Sequence, residues 1–268
     1  MALGAALVAT KGYSHSDMGR TYARARELCQ QLGDDPRGFT ALRGLSLHNM
    51  NLFEMEKAQH VAEEALRVAE RLGDAARLVG GHMALGSTLF WQGKLEPALA
   101  HYRQGFELFD PNMQFPDWPG AHPGVQFPTF LALISWMLGY SDRSLYQLRA
   151  AVRSAETLGH PLTLAQTLCY AAFVHIFRHE PPAAADYAGR ALRICEEQRI
   201  AQWQAFALCA DGWALGISGE SEKGLAQIGQ GLDIYSTGCC SICCWRCRPT
   251  RNWRSASPKP RLRRSPLG

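Results

Sequence analysis

The chain has 268 residues, 47% of them hydrophobic and 19% charged, which supplies enough apolar side chain for a sizeable core and argues against wholesale disorder. No apolar run approaches the roughly 18 residues that cross a bilayer, and "MALGAALVAT" has no basic residues ahead of it, so neither a membrane span nor a secretory leader is expected. The formal net charge of +4 averages two different parts: eight basic residues (Arg246, Arg248, Arg251, Arg254, Lys259, Arg261, Arg263, Arg264) and no acidic ones follow Ser236, which leaves the preceding body at −4.

In chain order, the opening "MALGAALVAT" reads as a helix that begins abruptly and stops at the "KGY" joint, Gly12. A second helix stops in "QLGDDP" at Gly33, and a later one in "RLGDAA" at Gly73. Then "AARLVGGHMALGSTLFWQG" and "LEPALAHYRQGFELFD" form a helical pair whose joint, "QGK", places Gly93 where a helix C-terminus wants glycine. A connector rich in Pro and aromatics, "DPNMQFPDWPGAHPGVQFP", runs from Asp110 to Pro128. Beyond it the joints resume at Gly139 ("LGY"), Gly159 ("TLGHP") and Gly219 ("SGE"). No alternating β-branched run appears anywhere.

These helices repeat. A small residue recurs at Ala25, Ala65, Gly105, Ala151, Ala191 and Gly231, in steps of 40, 40, 46, 40 and 40. Seven positions earlier stand Met18, Ala58, Ala98, Ser144, Ala184 and Gly224, small in all units but the first. Three positions later stand Leu28, Val68, Leu108, Ser154, Ile194 and Ile234, apolar in five of six. Two small columns about two turns apart lie on one helix face and let a neighbouring helix approach closely in every unit. The reading is an all-α solenoid of helical hairpins, about six units with a period of about 40 over residues 1–235, whose register the connector 110–128 breaks by six. In the final helix, Leu225, Ile228, Leu232 and Tyr235 make an apolar stripe, part of which would meet a following repeat.

Leu85-Gly86, Gly93, Ala98, Tyr102, Gly105 and Pro111 fall at or within a residue of the tetratricopeptide signature, so the units resemble that family. The resemblance implies a right-handed solenoid. The period exceeds the usual 34 or so, and an array of the HEAT type, with periods of about 40–47, is the alternative architecture. A narrower resemblance rests on ordered phrases: "LVATKGYSHSDMGRTYARARELCQQLG", "GKLEPALAHYRQGFELFDP", "HPGV", "LGYSDRSLYQLRAAVRSAETLGHP" and "GWALGISGESEKGLAQIGQGLDIYSTG". Together they are similar to the C-terminal repeat region of large bacterial signalling proteins, where a class III adenylate/guanylate cyclase or DNA-binding domain and a P-loop ATPase domain precede helical repeats. His122 stands where that family usually has Asp. The resemblance implies that the chain is a fragment whose catalytic domains lie upstream.

Catalytic motifs are weak. "GHMALGST", Gly81 to Thr88, imitates a phosphate loop but lacks its lysine and lies inside a helical pattern, where Gly86 reads as a packing glycine. His175 and His179 are four apart and would share a helix face, without a third ligand. Glu63, Glu64, Glu196 and Glu197 read as solvated helix surface. Cys29, Cys169, Cys195 and Cys209 sit among apolar neighbours, as free thiols of a reducing cytoplasm do. No catalytic residue, metal site or cofactor is expected.

The candidate partner surface is the concave face lined by the first helix of each hairpin. Register points Met83, Ser87, Phe90 and Trp91 of the third unit towards it, Leu133, Trp136 and Met137 of the fourth, and Phe173, Ile176 and Phe177 of the fifth. A groove so apolar suits a helix or extended segment, although about half of these side chains are expected to fill the gaps between repeats. In the connector, Phe115 and Trp118 are either exposed partner anchors or covers for the ends of adjacent helices.

Periodicity stops at Gly238. The tail that follows holds Cys239, Cys240, Cys243, Cys244 and Cys247, whose two Cys-x-x-Cys pairs abut, whereas zinc sites separate them by a dozen or more residues. Its Arg/Pro/Ser/Cys/Trp text without acids is what a shifted reading frame in GC-rich DNA gives. A native basic tail and a metal knot are the alternatives, and residues 236–268 are expected to be unfolded. The functional expectation is a non-catalytic scaffold for a protein or peptide partner, or for the upstream domains of a signalling ATPase/cyclase. The competing expectation is a parent enzyme whose catalytic domains this chain lacks; nucleic-acid binding rests on the basic tail alone.

Overall fold

The computed structural model describes residues 15–115 and 120–238. Within them lie eleven α-helices and no strand. They are α1 (Ser16–Leu32), α2 (Asp35–Asn51), α3 (Met55–Leu72), α4 (Ala75–Trp91), α5 (Leu95–Leu108), α6 (Pro123–Met137), α7 (Ser141–Leu158), α8 (Pro161–Phe177), α9 (Pro181–Gln198), α10 (Ala201–Ile217) and α11 (Ser221–Gly238). The Gly12 joint, Trp118 and the cysteine-rich tail lie outside the described residues.

Helix boundaries follow from backbone chemistry. Gly33, Gly73 and Gly159 end α1, α3 and α7 in the left-handed conformation, and the amide of Gly73 donates to the carbonyls of Ala69 and Glu70. Where the next residue is Asp, one carboxylate starts the next helix: Asp34 accepts from the Arg37 amide at 3.1 Å, and Asp74 from the Arg77 amide at 2.8 Å. His122 plays the same part for α6, its Nδ1 accepting from the Gly124 amide at 3.2 Å. Within each hairpin the joint again needs a positive φ, supplied by Gly93, Gly139 and Gly219 but also by Phe53 (58°) and His179 (55°). Arg199 (55°) ends α9 in the same way.

Each hairpin pairs an inner helix (α2, α4, α6, α8, α10) with an outer one (α3, α5, α7, α9, α11); α1 is the outer helix of the first unit. Successive inner helices pack on one another along the whole array, whereas outer helices pack mainly on inner ones. In a curved two-layer stack the closer-spaced layer lies on the inside of the curve, so the inner helices form the concave face.

Both small columns are buried in the interface between layers. Ala65, Ala151 and Ala191, and Ala58, Ala98, Ser144 and Ala184, have no solvent exposure. A Cβ on Gly105 would stand 2.5 Å from the Phe127 ring, and one on Gly224 would stand 2.4 Å from the Gly212 carbonyl oxygen. The third column is not uniformly inward, because Leu28, Leu108 and Ser154 are exposed. One position further on, Ala69, Ala155 and Cys195 are buried and Cys29, Phe109 and Tyr235 partly so. A step of four residues keeps a side chain closer to the same face than a step of three after the seven already taken.

The connector departs from expectation at its end. Helix α6 begins at Pro123, not after Pro128, and Pro128 lies in its interior, where it leaves one backbone acceptor without its usual amide. The six extra residues and the missing last turn of the outer helix α5, which ends at Leu108, together lengthen the connector. Phe109 and Phe115 stack with ring centroids 6.2 Å apart, and His122 meets both edge-on at 6.0 and 5.9 Å. Phe115 is partly buried and packs against the core.

Two other expectations change. Glu64 is not solvated surface, because it accepts a 2.7 Å ion pair from Arg26 of the preceding unit. His175 and His179 do not share a helix face: α8 ends at Phe177, and His179 turns away in the left-handed region. Their partners differ, His175 bonding Glu180 at 2.6 Å and His179 lying 6.1 Å from the Trp213 ring. The Gly81–Thr88 stretch lies inside α4, where Gly86 faces the Tyr102 ring at 3.2 Å from an added Cβ.

Candidate partner-binding groove

The concave face is built from the residues that each inner helix turns away from its outer partner. Its clearest feature is a row at the last residue of four consecutive inner helices: Trp91, Met137, Phe177 and Ile217 are 46%, 47%, 49% and 56% exposed. Asn51 holds the same position in α2. These four half-exposed large apolar side chains share one repeat position.

Of the other expected lining residues, Trp136, Phe173 and Ile176 are half-buried beside this row. Met83, Ser87, Phe90 and Leu133 are buried and belong to the interior, which corrects their expected place on the groove. The reasons are local. Ser87 Oγ lies 2.8 Å from the hydroxyl of the fully buried Tyr102 and so turns towards the outer helix α5. Phe90 packs edge-on against Phe130, at 5.1 Å, where α4 meets α6. Leu47 and Trp213 continue the half-buried lining into α2 and α10, and Ile217 extends the exposed row. A further step of 40 from Phe177 reaches Ile217, so the repeat itself carries the signal for it.

The rim is polar and already paired. The Arg178 guanidinium lies 5.7 Å over the Trp136 ring, donates to Glu180 at 2.9 Å and bonds the Ser141 hydroxyl. Hydrogen bonds from Arg178, then from His175, hold the Glu180 carboxyl below its ordinary range, and the bond to Glu180 raises the Arg178 guanidinium. Across the concave face, Gln202 at the start of α10 donates to Asn51 Oδ1 at 3.4 Å, joining helices 151 residues apart in sequence. The inner layer thus curls until its second and sixth units touch.

Burial raises the Cys169 thiol and pushes that of Cys195 up to about 12, which keeps both unreactive. Among the described residues, no three His, Cys, Asp or Glu side chains are placed to hold a metal, and no helix is long and apolar enough to cross a membrane. An open hollow of about 510 Å³ between α1, α2 and α3 is lined by Ala23, Leu45 and Val61 and by the apolar parts of Arg26, Lys57 and His60, away from the row.

No protein family matches this sequence, and neither does any curated protein. Solved structures resemble the fold. A Rap protein in complex with Competence and Sporulation Factor superposes with a TM-score of 0.68 at 13% identity, covering 84% of this chain and 60% of that one. The Rap conjugation gene regulator of plasmid pLS20, in complex with the Phr* peptide, gives 0.60 at 15% identity, covering 87% and 62%. A kinesin light chain from Podosopora anserina with nearly identical TPR-like repeats gives 0.51 at 10%, covering 74% and 94%. The chain spans less than two thirds of the length of either Rap protein. The shared property is the architecture: this is a tetratricopeptide-like helical-repeat solenoid.

Proposed function

We propose that the chain is a non-catalytic scaffold that holds a segment of a protein or peptide partner in its concave groove. The observation that carries this reading is the row Trp91, Met137, Phe177 and Ile217, because a solenoid that needed only to fold would have no reason to present a large apolar side chain at the same open position in four units. Two structures of similar fold hold a factor and a peptide. Within this reading the chain is the sensor or regulatory arm of a larger bacterial signalling ATPase/cyclase, a context that rests on the ordered sequence phrases and their usual upstream domains. By itself it then neither hydrolyses ATP nor makes cyclic nucleotides, and steady turnover by purified chain would contradict that part. In-frame cyclase and P-loop motifs in the genomic sequence upstream would support the larger context.

The binding reading is tested by selecting a random peptide library on the immobilised full chain and on its Trp91→Ser/Met137→Ser/Phe177→Ser variant, after both show the same helical circular dichroism. Peptides enriched on the wild type and absent from the variant are the expected result. No enrichment, or equal enrichment on both, would overturn it.

A further inference from the structure

Granted that the groove takes a polypeptide segment, its dimensions say which conformation and which sequence. We propose that the row reads a polyproline-II segment, largely uncharged, with an apolar side chain at every third residue.

Trp91, Met137, Phe177 and Ile217 each stand on a separate inner helix, and successive inner helices pack directly. Packed helix axes lie about 8–10 Å apart. A polyproline-II chain advances about 3.1 Å per residue with three residues per turn, so side chains three apart share a face and recur every ~9.3 Å. A flat β-strand repeats on one face every two residues, about 6.7 Å, and so slips out of phase with the row after one step. An α-helix could match the spacing with every seventh residue, about 10.5 Å, but with its side chains it is about 10–12 Å across.

Width then separates polyproline-II from helix. The concave face is not an open trough, because Gln202 of α10 reaches Asn51 of α2, the residue that begins the row's register. A slender chain passes such a constriction more readily than a helix does.

Charge and hydrogen bonding point the same way. The open and half-open residues of the row and its lining, from Leu47 and Asn51 in α2 to Trp213 and Ile217 in α10, are all uncharged; Arg43 in α2 is the one charge at a neighbouring register position. The rim guanidinium of Arg178 is occupied by Glu180. A charged ligand side chain would leave water without gaining a partner along the row. A polyproline-II backbone keeps its amides and carbonyls in solvent and needs no sheet edge.

The test uses the full chain and three capped, fluorescein-labelled synthetic peptides of equal length, with four leucines each. One carries leucine at every third position in a Pro/Ser background. The second carries it at every second position in a Thr/Ser background, and the third at helical spacing in an Ala/Gln background. Fluorescence anisotropy should show the first binding at least about tenfold tighter than the others, and Phe177→Ser should weaken it about fivefold or more. Equal or tighter binding of the second or third peptide would overturn the proposal. So would failure of all three while library-selected peptides still bind through the row, a result that leaves the groove reading standing. If selected peptides also bind without the row, the groove reading falls as well.

Discussion

His82 and His101 face each other between α4 and α5 with their Nδ1 atoms 3.1 Å apart, so one ring must donate and the other accept. Burial, reinforced by the neighbouring imidazole, lowers His82 from 6.5 to about 4, and burial also lowers His101. The unfolded chain takes up the His82 proton near 6.5, the folded chain only near 4. The unfolded state therefore binds more protons in between, and stability falls as the pH drops through that window, while above it this contribution is complete. The melting temperature should decline from pH 7.5 to pH 5, and His82→Gln should flatten the decline; an unchanged slope would contradict the pairing. The small columns make a second prediction at this scale. Ala65→Leu or Ala191→Leu, at positions with no exposure, should cost about 1–3 kcal/mol by overpacking, whereas Leu at the exposed Glu70 should stay within about 0.5 kcal/mol. Denaturant midpoints shifted equally at both kinds of site would contradict the register. Glu64 would have been the wrong control, because its partner Arg26 lies 38 residues away and no local pattern reveals a contact between units.

At the scale of the element, the helices were legible because each small column and each Gly stop repeats. Three left-handed positions were not, since Phe53, His179 and Arg199 carry side chains where the other units have glycine. A non-glycine residue there costs roughly 1–2 kcal/mol, offset in part by the chain entropy that glycine adds to the unfolded state. Phe53→Gly should therefore raise stability by roughly 0.5–1 kcal/mol in urea unfolding. A loss would mean that the Phe53 ring makes a contact worth more than the backbone strain. The start of α6 was also hidden. Pro128 looks like a helix boundary in sequence, yet α6 passes through it because Pro123 and the His122 cap had already started the helix. The stripe on α11 divides as its spacing indicates. Ile228 and Tyr235 are partly buried, Tyr235 against Phe206 at 5.5 Å, while Leu225 and Leu232 are exposed. Leu66 and Val152, which hold the Leu232 position in earlier units, are buried; Leu66 lies against Gly81 of the following inner helix.

Across the whole molecule, the repeat predicts the solenoid well and its groove only in part. Trp91, Met137 and Phe177 are open and Trp136, Phe173 and Ile176 half-open, but Met83, Ser87, Phe90 and Leu133 are core. The reason is physical. An inner helix contacts its outer partner, the outer helix of the preceding unit and its neighbouring inner helices, so only a narrow strip remains free, and a repeat pattern marks contact with any of them alike. The curl that brings Asn51 to Gln202 depends on small rotations summed over four units, which no single unit's sequence displays. The central claim is that this strip binds a partner segment, and affinity at individual positions tests it most directly. Peptides selected on the full chain should be titrated against the wild type, Trp91→Ser, Phe177→Ser and a convex-face control, Tyr146→Ser, whose side chain is exposed on the outer helix α7. The two groove substitutions should each weaken binding about tenfold or more and Tyr146→Ser should leave it unchanged; equal affinity for all four proteins would contradict the claim.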